Sequence, residues 1–317
     1  MMMHDGSGNG LYIQTPIAES QPLNARAGRR VLFKMECHQP SGSFKMRGVS
    51  HLMSTHKEAG VTQFISSSGG NAGLAVAHCA ARLGVSATVF VPDTTSLHVR
   101  GLLAGLGADV RVAGSVWNEA DAAARALRAS SDAIYVSPFD DPLLWEGHST
   151  MIDEAAVQMD RPDAVIVSVG GGGMMCGVLQ GMHRNGWADV PVVAVETDGA
   201  ASFAAAVAAG RPVSIGAITS IAKTLGSLQV ADAAFEWTKR HDIRSAVLSD
   251  RQAIQGCLAF ADDLHVLVEP ACGVSVALAE QGHPALGDAG TVLVIACGGS
   301  AVSARQTGEW ALAEATA

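Results

Sequence analysis

Residues 164–181 read AVIVSVGGGGMMCGVLQG: a β-branched apolar run, then four consecutive glycines (Gly170, Gly171, Gly172 and Gly173), then an apolar helical stretch. The first part has the unbroken hydrophobicity of a strand buried on both faces. Glycines held between a strand and a helix leave a nest of backbone N–H groups at the helix N-terminus, a ready anion site with phosphate as its usual occupant. A flexible linker would not be flanked so tightly. Glu196 ends the next apolar run much as a ribose-binding acid would, which keeps a dinucleotide in view. No GxGxxG register fits these glycines, however, and no Lys-Ser/Thr pair follows them, so a monophosphate is the better ligand.

The same strand-then-helix rhythm extends in both directions. VLFKMEC (31–37), QFISS (63–67), ATVFV (87–91), VPVVAVE (190–196) and TVLVIAC (291–297) read as buried strands, and NAGLAVAHCAARLG (71–84) and EADAAARALRAS (119–130) as helices. That alternation predicts an α/β fold with parallel sheets. PFDDPLLWEGH (138–148) breaks the rhythm with two prolines and an acidic pair, and marks a crossing between subdomains. The expected organisation is a large domain made of residues 1–45 and 138–317, with a small domain, 46–137, inserted into it. A cleft between the two would be the natural ligand site in open α/β sheets.

Composition narrows the function classes. With 317 residues, 48% of them hydrophobic, the chain can bury a large core. A net charge of -9 and no basic run longer than the doublets Arg29-Arg30 and Lys239-Arg240 argue against nucleic acid as a partner. The N-terminal MMMHDGSGNG lacks the basic-then-apolar pattern of a secretory signal, and no apolar run reaches membrane-spanning length. Six scattered cysteines without a CxxC pair point to a reducing, cytoplasmic setting. The eleven histidines show no metal-ligand spacing.

Only five lysines occur: Lys34, Lys45, Lys57, Lys223 and Lys239. Lys57 and Lys239 sit in polar helical surroundings, Lys34 has Glu36 beside it as an ion-pair partner, and Lys223 has no evident role. Lys45 follows the turn PSGSF and opens a helix between Phe44 and Met46. The positive end of the helix dipole and loss of hydration both favour the neutral amine that attacks a carbonyl. A helix-start lysine that merely snorkels has the same local sequence. The loop SSSGGNAG (66–73) presents hydroxyls, glycine N–H groups and one amide, and could hold a carboxylate; an ordinary Ser/Gly turn before an N-cap looks alike. Cys297, in IACGGS at the end of the last strand, reads by itself as a small buried hydrophobe.

Taken together these segments resemble the fold-type II pyridoxal-phosphate enzymes, and among them the mammalian-type L-serine dehydratases. The likeness runs nearly end to end: TPI (15–17), QPSGSFKMRG (39–48), SSSGGNAG, PFDDPLLWEGH, SVGGGGMMCGV, VETDGAASF (195–203), TSIAKTLG (219–226), VEPACG (268–273) and CGGS (297–300) occur in one order. The resemblance implies a tryptophan synthase β-like architecture, two open twisted and mainly parallel sheets flanked by helices, with the site in the interdomain cleft, and a homodimer. It implies pyridoxal 5'-phosphate carried as a Schiff base on Lys45, with Phe44 against the ring. Gly170 to Gly173 and Met174 would hold the phosphate, Asn71 the ring hydroxyl, and Cys297 would face the pyridine nitrogen. Ser68, Gly69, Gly70, Asn71 and Ala72 would line the substrate carboxylate pocket. A monovalent cation such as potassium would take backbone carbonyls of Gly170, Ala200, Leu225 and Ser227, near Glu196.

The reaction so implied is β-elimination and deamination of L-serine to pyruvate and ammonia, and of L-threonine to 2-oxobutanoate, with Lys45 removing the Cα proton. A thiol opposite the ring nitrogen, in place of a carboxylate, favours elimination over transamination. Racemases of this fold carry serine, and the best-known mammalian dehydratases alanine, where this chain has Gly69. That departure predicts weak racemisation, and room beside the substrate for the threonine methyl. The chain also departs at Ala301, to which the resemblance attaches no role. An enzyme acting chiefly on threonine, a non-catalytic binding homologue, and a nicotinamide dehydrogenase are the competing readings.

Overall fold

The computed structural model describes residues 10–300 and 302–316; the N-terminal MMMHDGSGN and Ala301 lie outside the described residues. The chain begins with β1 (Ile17–Glu19), α1 (Gln21–Ala27) and β2 (Arg30–Lys34). It continues through α2 (Lys45–Glu58), β3 (Gln63–Ser66), α3 (Asn71–Leu83), β4 (Ser86–Val91), α4 (Leu97–Gly105), β5 (Asp109–Val112), α5 (Trp117–Ala129) and β6 (Ile134–Tyr135). Next come α6 (Pro142–Gln158), β7 (Ala164–Ser168), α7 (Gly173–Arg184), β8 (Val192–Thr197), α8 (Ser202–Ala209) and α9 (Asp232–Glu236). The last elements are β9 (Ile243–Leu248), α10 (Asp250–Leu264), α11 (Pro270–Glu280), β10 (Thr291–Ile295) and α12 (Ala304–Thr316).

These elements divide into two compact units. The first comprises the chain up to Gln14 with Gln39–His148, and the second Thr15–His38 with the chain from Ser149 onward. The first is built on a four-stranded parallel sheet, β5-β4-β3-β6. The second has six strands in the order β1-β2-β10-β7-β8-β9, all parallel except the edge strand β1. The α/β architecture with mainly parallel sheets is therefore as the sequence predicts. Residues 39–45 and 138–148, which the sequence reading assigns to the large domain, pack with the first unit here for a local reason. The start of α2 lies hard against α6: a Cβ on Gly48 would stand 2.6 Å from the Leu144 carbonyl, and one on Gly147 would stand 2.6 Å from that of Arg47.

Burial explains which strands the sequence announces. Every residue of β7 and β8 is buried, as is all of β10 except Thr291, so both faces of these central strands are covered and the sequence must be continuously apolar. In the second unit α10 and α11 approach closely enough that a Cβ on Gly273 would stand 2.8 Å from the Cys257 amide nitrogen. Helix α10 starts at a reciprocal Ser249–Gln252 capping box, a feature worth about 1 kcal/mol. Among the described residues no helix is long and apolar enough to cross a membrane.

Candidate active site

The lysines sort themselves by partner. Lys34 is fully buried, and its ammonium donates to Glu154 Oε2 (2.6 Å), the Thr15 carbonyl (2.6 Å) and Gln158 Oε1 (3.0 Å). Glu36, which the sequence reading sets beside it, sits in a 3-10 turn, where its carboxylate accepts from Thr15 Oγ1 at 2.6 Å. Lys57 donates to the Leu83 carbonyl (2.7 Å), Lys239 pairs with Glu236 (2.6 Å), and Lys223 is exposed in the 3-10 turn Lys223–Leu225.

Lys45 differs from all of them. It is the first residue of α2, half-buried, with its amine 4.8 Å from the Phe44 ring centroid and donating to the Pro138 carbonyl. The PFDDP stretch thus supplies a neutral acceptor to this amine. Phe44 in turn packs on His148, with ring centroids 4.9 Å apart. His148 went unnoticed in the sequence because it closes a segment read as a crossing. It is fully buried, and its Nδ1 accepts the Gly48 N–H at 3.2 Å, which assigns the ring proton to Nε2. Burial first, then the charges of Lys45 and Arg47, hold its pKa well below the usual histidine value, so it stays neutral beside the lysine.

In the same unit the loop after β3 leads into α3, whose first residue is the buried Asn71. Ser68 Oγ accepts from the Gly70 N–H at 3.3 Å. The Ser68 carbonyl lies where a Cβ on Gly73 would stand, so only glycine lets this turn fold back on the helix. The space expected at Gly69 is not empty. Thr95 Cγ2 and Oγ1 lie 2.9 and 3.0 Å from the position of a Cβ there, and Val91 Cγ1 lies 3.1 Å away. The missing side chain is thus compensated by Thr95, a contact across 26 residues with no sequence signal, and the argument for threonine from room at Gly69 does not hold.

The second unit carries the glycine loop. Strand β7 ends at Ser168 and α7 starts at Gly173, with Gly172 as its N-cap at φ +91° and ψ -5°. Val230 Cγ2 lies 3.0 Å from the position of a Cβ on Gly172, whose Ala234 neighbour would overlap it outright. Gly170 faces the Leu225 backbone, with 3.0 Å from its Cβ position to Leu225 Cα, and the Gly171 carbonyl is fixed by the Ala231 N–H at 3.0 Å. The first N–H groups of α7 have no acceptor within the helix and carry its positive partial charge. A rigid cup without side chains, lined by such donors, fits a phosphate monoester. Met174, the second residue of α7, is buried.

Cys297 follows β10 and is 5% exposed. A hydrogen bond with Cys272, then burial, and the neighbouring Cys272, Glu269 and Cys37 push its thiol well above the usual range, so it is protonated. A neutral thiol suits an unprotonated ring nitrogen. Of the backbone carbonyls expected around a cation, that of Leu225 lies 3.1 Å from the Cβ position of Gly170 and also accepts the Ser227 N–H at 2.7 Å, while the Ala200 N–H bonds to the Thr197 carbonyl at 2.9 Å.

Glu196 is fully buried and accepts the N–H groups of Phe203 (2.7 Å) and Ala204 (2.8 Å). Burial nevertheless pushes its pKa up to about 7 from the ordinary 4.5. The folded chain therefore holds a proton that the unfolded chain has released, and the associated stability is complete below the unfolded pKa and lost as pH rises through about 7. In Glu196→Gln this loss, roughly 3 kcal/mol, is expected to disappear. Urea unfolding at pH 4.5 and 8 measures it, and parallel pH dependence in variant and wild type would refute the assignment.

The first unit thus carries a half-buried lysine at a helix start, and the second a glycine cup at the start of another helix. The family pattern of the pyridoxal-phosphate dependent enzymes matches residues 9–298, and the chain belongs to that family. Pyridoxal phosphate is its cofactor. Within the family the chain is similar to the L-serine dehydratase/L-threonine deaminase of Homo sapiens, 44% identical over 310 residues that span 95% of this chain and 94% of the relative. It is also similar to the L-serine dehydratase of Dictyostelium discoideum, 40% identical over 319 residues, 93% of this chain and 90% of that one. Among solved structures, a fungal L-serine ammonia-lyase from Rhizomucor miehei superposes with a TM-score of 0.89 at 35% identity, covering 95% of this chain and 98% of the other.

Proposed function

We propose that the chain is an ammonia-lyase that converts L-serine to pyruvate and ammonia, and L-threonine to 2-oxobutanoate and ammonia. The observation that carries this reading is the end-to-end likeness to the human L-serine dehydratase/L-threonine deaminase. The threonine activity rests on that likeness alone, since Thr95 takes the room beside Gly69.

The residue roles are those that the family resemblance implies. Lys45 carries the cofactor, and Phe44, braced by His148, packs on the ring. The N–H groups of Gly170, Gly171, Gly172, Gly173 and Met174 bind the phosphate, Asn71 the ring hydroxyl, and Cys297 offers the ring nitrogen no more than a weak hydrogen bond. Ser68, Gly69, Gly70, Asn71 and Ala72 take the substrate carboxylate. When bound, the cofactor supplies an electron sink conjugated to the substrate nitrogen, which makes the Cα proton acidic. Lys45, as its neutral amine, would remove that proton. The Pro138 carbonyl orients the amine, and neutral His148 adds no charge beside it. The β-hydroxyl leaves as water, and the enamine product hydrolyses to the 2-oxo acid and ammonia. A monovalent cation on the carbonyls of Gly170, Ala200, Leu225 and Ser227, a homodimeric assembly and a cytoplasmic location complete the proposal.

The test is a visible spectrum of the purified protein with added cofactor, followed by a coupled 2-oxo-acid assay on L-serine and L-threonine. Pyruvate release with serine is the expected result. A protein that binds the cofactor and releases neither 2-oxo acid would favour a binding role instead.

A further inference from the structure

Behind the Ser68–Ala72 turn lies a hydrogen-bonded cluster that the reaction does not use directly. Ser67, the first residue beyond β3 with a fully buried side chain, has its hydroxyl 2.7 Å from Asp121 Oδ1 and 2.8 Å from Tyr135 Oη. Tyr135 also donates to the same carboxylate oxygen, while Asp121 Oδ2 accepts from Arg125 Nε at 2.7 Å. The Arg125 guanidinium lies over the Tyr135 ring, 4.5 Å from its centroid. Asp121 belongs to α5 and Tyr135 to β6, so three separate elements converge on one hydroxyl. Strand β6 is locked to β3 at this point by the Ile65↔Tyr135 register and by the Val136 N–H to the Ile65 carbonyl at 2.8 Å.

A half-buried polar cluster of this kind adds little net stability, because desolvation and solvent screening offset much of what its hydrogen bonds return. What it does fix is torsion angle. Burial works against ionisation of Asp121, but the hydrogen bonds from Tyr135, Arg125 and Ser67 outweigh it and leave the pKa below its usual value, so the carboxylate stays charged as the acceptor at the centre of the cluster. At the other end of the turn the Ser68 carbonyl is pressed against Gly73, where no Cβ would fit. The turn is therefore pinned on both sides, by hydrogen bonds at Ser67 and by packing at Gly73.

We propose that Ser67, Asp121 and Tyr135 form a positioning device that sets the Ser68–Ala72 turn for the carboxylate of the amino-acid substrate. This rests on the reading of that turn as the carboxylate site. None of the three is a catalytic residue; each acts through the turn. Removing the phenol hydroxyl takes one of the two hydrogen bonds on Ser67 and weakens its hold on the turn, which loosens carboxylate binding without touching the lysine or the phosphate cup.

The test uses holoenzyme carrying Tyr135→Phe or Asp121→Asn, with L-alanine, which has no β-leaving group, and L-alaninol, which lacks the carboxylate, as probes titrated by absorbance. Expected are an about tenfold weaker affinity for L-alanine and a similar rise in KM for L-serine, with kcat, cofactor affinity and L-alaninol binding unchanged. A structural role alone would lower the melting temperature and leave L-alanine affinity intact, or weaken both probes equally, and either result overturns the proposal. Should one variant fail to fold, the other and Ser67→Ala give the same readout. Ser68→Ala separates the two layers of the argument. If it weakens L-alanine binding and Tyr135→Phe does not, the positioning device is wrong and the carboxylate site stands; if neither variant has an effect, both are wrong.

Discussion

Lys45→Ala is expected to lower kcat for L-serine by at least about 1,000-fold and to abolish the visible absorption of lysine-linked cofactor. In the proposed scheme one amine would serve as covalent anchor and as base, so its removal would take away both roles at once. Lys45→Arg sharpens the prediction. Arginine keeps a cation at the start of α2 but does not deprotonate in proteins, so it can neither attack an aldehyde nor accept a proton. If the position merely needed positive charge, arginine would preserve function; the expectation is that it is as inactive as alanine. Lys223→Ala, which changes an exposed lysine in a 3-10 turn, should keep both absorption and turnover. Substantial pyruvate release by Lys45→Ala, followed in a coupled assay at saturating serine, would assign the chemistry to another group.

The contrast between Lys45 and Lys34 shows how far sequence reached and where it stopped. Lys45 was legible because its setting is local: a turn, a helix start and apolar neighbours within a few residues. Lys34 marks the limit, because its contact with Glu154, 120 residues away, is made only by the folded chain and leaves no local signal. The same divide runs through the sheets. Central strands β7, β8 and β10 must be apolar throughout because both faces are covered, so composition alone reveals them. The edge strands β5 and β9 expose Asp109, Arg111, Val112 and Val247, and β1 and β6 are only three and two residues long, so none offers an uninterrupted apolar run. At the candidate site, the turns and the glycine loop could be found by type, whereas the support behind them could not. His148 under Phe44, Thr95 beside Gly69, and the Asp121 and Tyr135 hydroxyl contacts on Ser67 all join residues from different elements.

Gly172→Ala should both destabilise the second unit and weaken cofactor binding, and the destabilisation has two parts. Gly172 sits at φ +91°, where an L-residue is strained by about 1–3 kcal/mol. Its added Cβ would also overlap Ala234 and press on Val230 Cγ2 at 3.0 Å, an overpacking cost of about 1–3 kcal/mol more. Ala234→Gly in the same chain removes the main overlap but not the backbone strain, so the double variant should recover only the steric share in denaturant unfolding of the apo-protein. Any shift of the loop also misdirects the N–H groups that precede and open α7. Loss of one or two hydrogen bonds to a charged phosphate corresponds to a weakening of about 100-fold in cofactor affinity. Pyridoxal, the same ring and aldehyde without the phosphate, provides the control: Gly172→Ala should leave its weak binding almost unchanged while pyridoxal phosphate binding collapses. Equal losses for the two compounds would mean that the glycine loop shapes the fold around the ring and does not hold the phosphate, and the assignment of Gly170 to Gly173 would have to be abandoned.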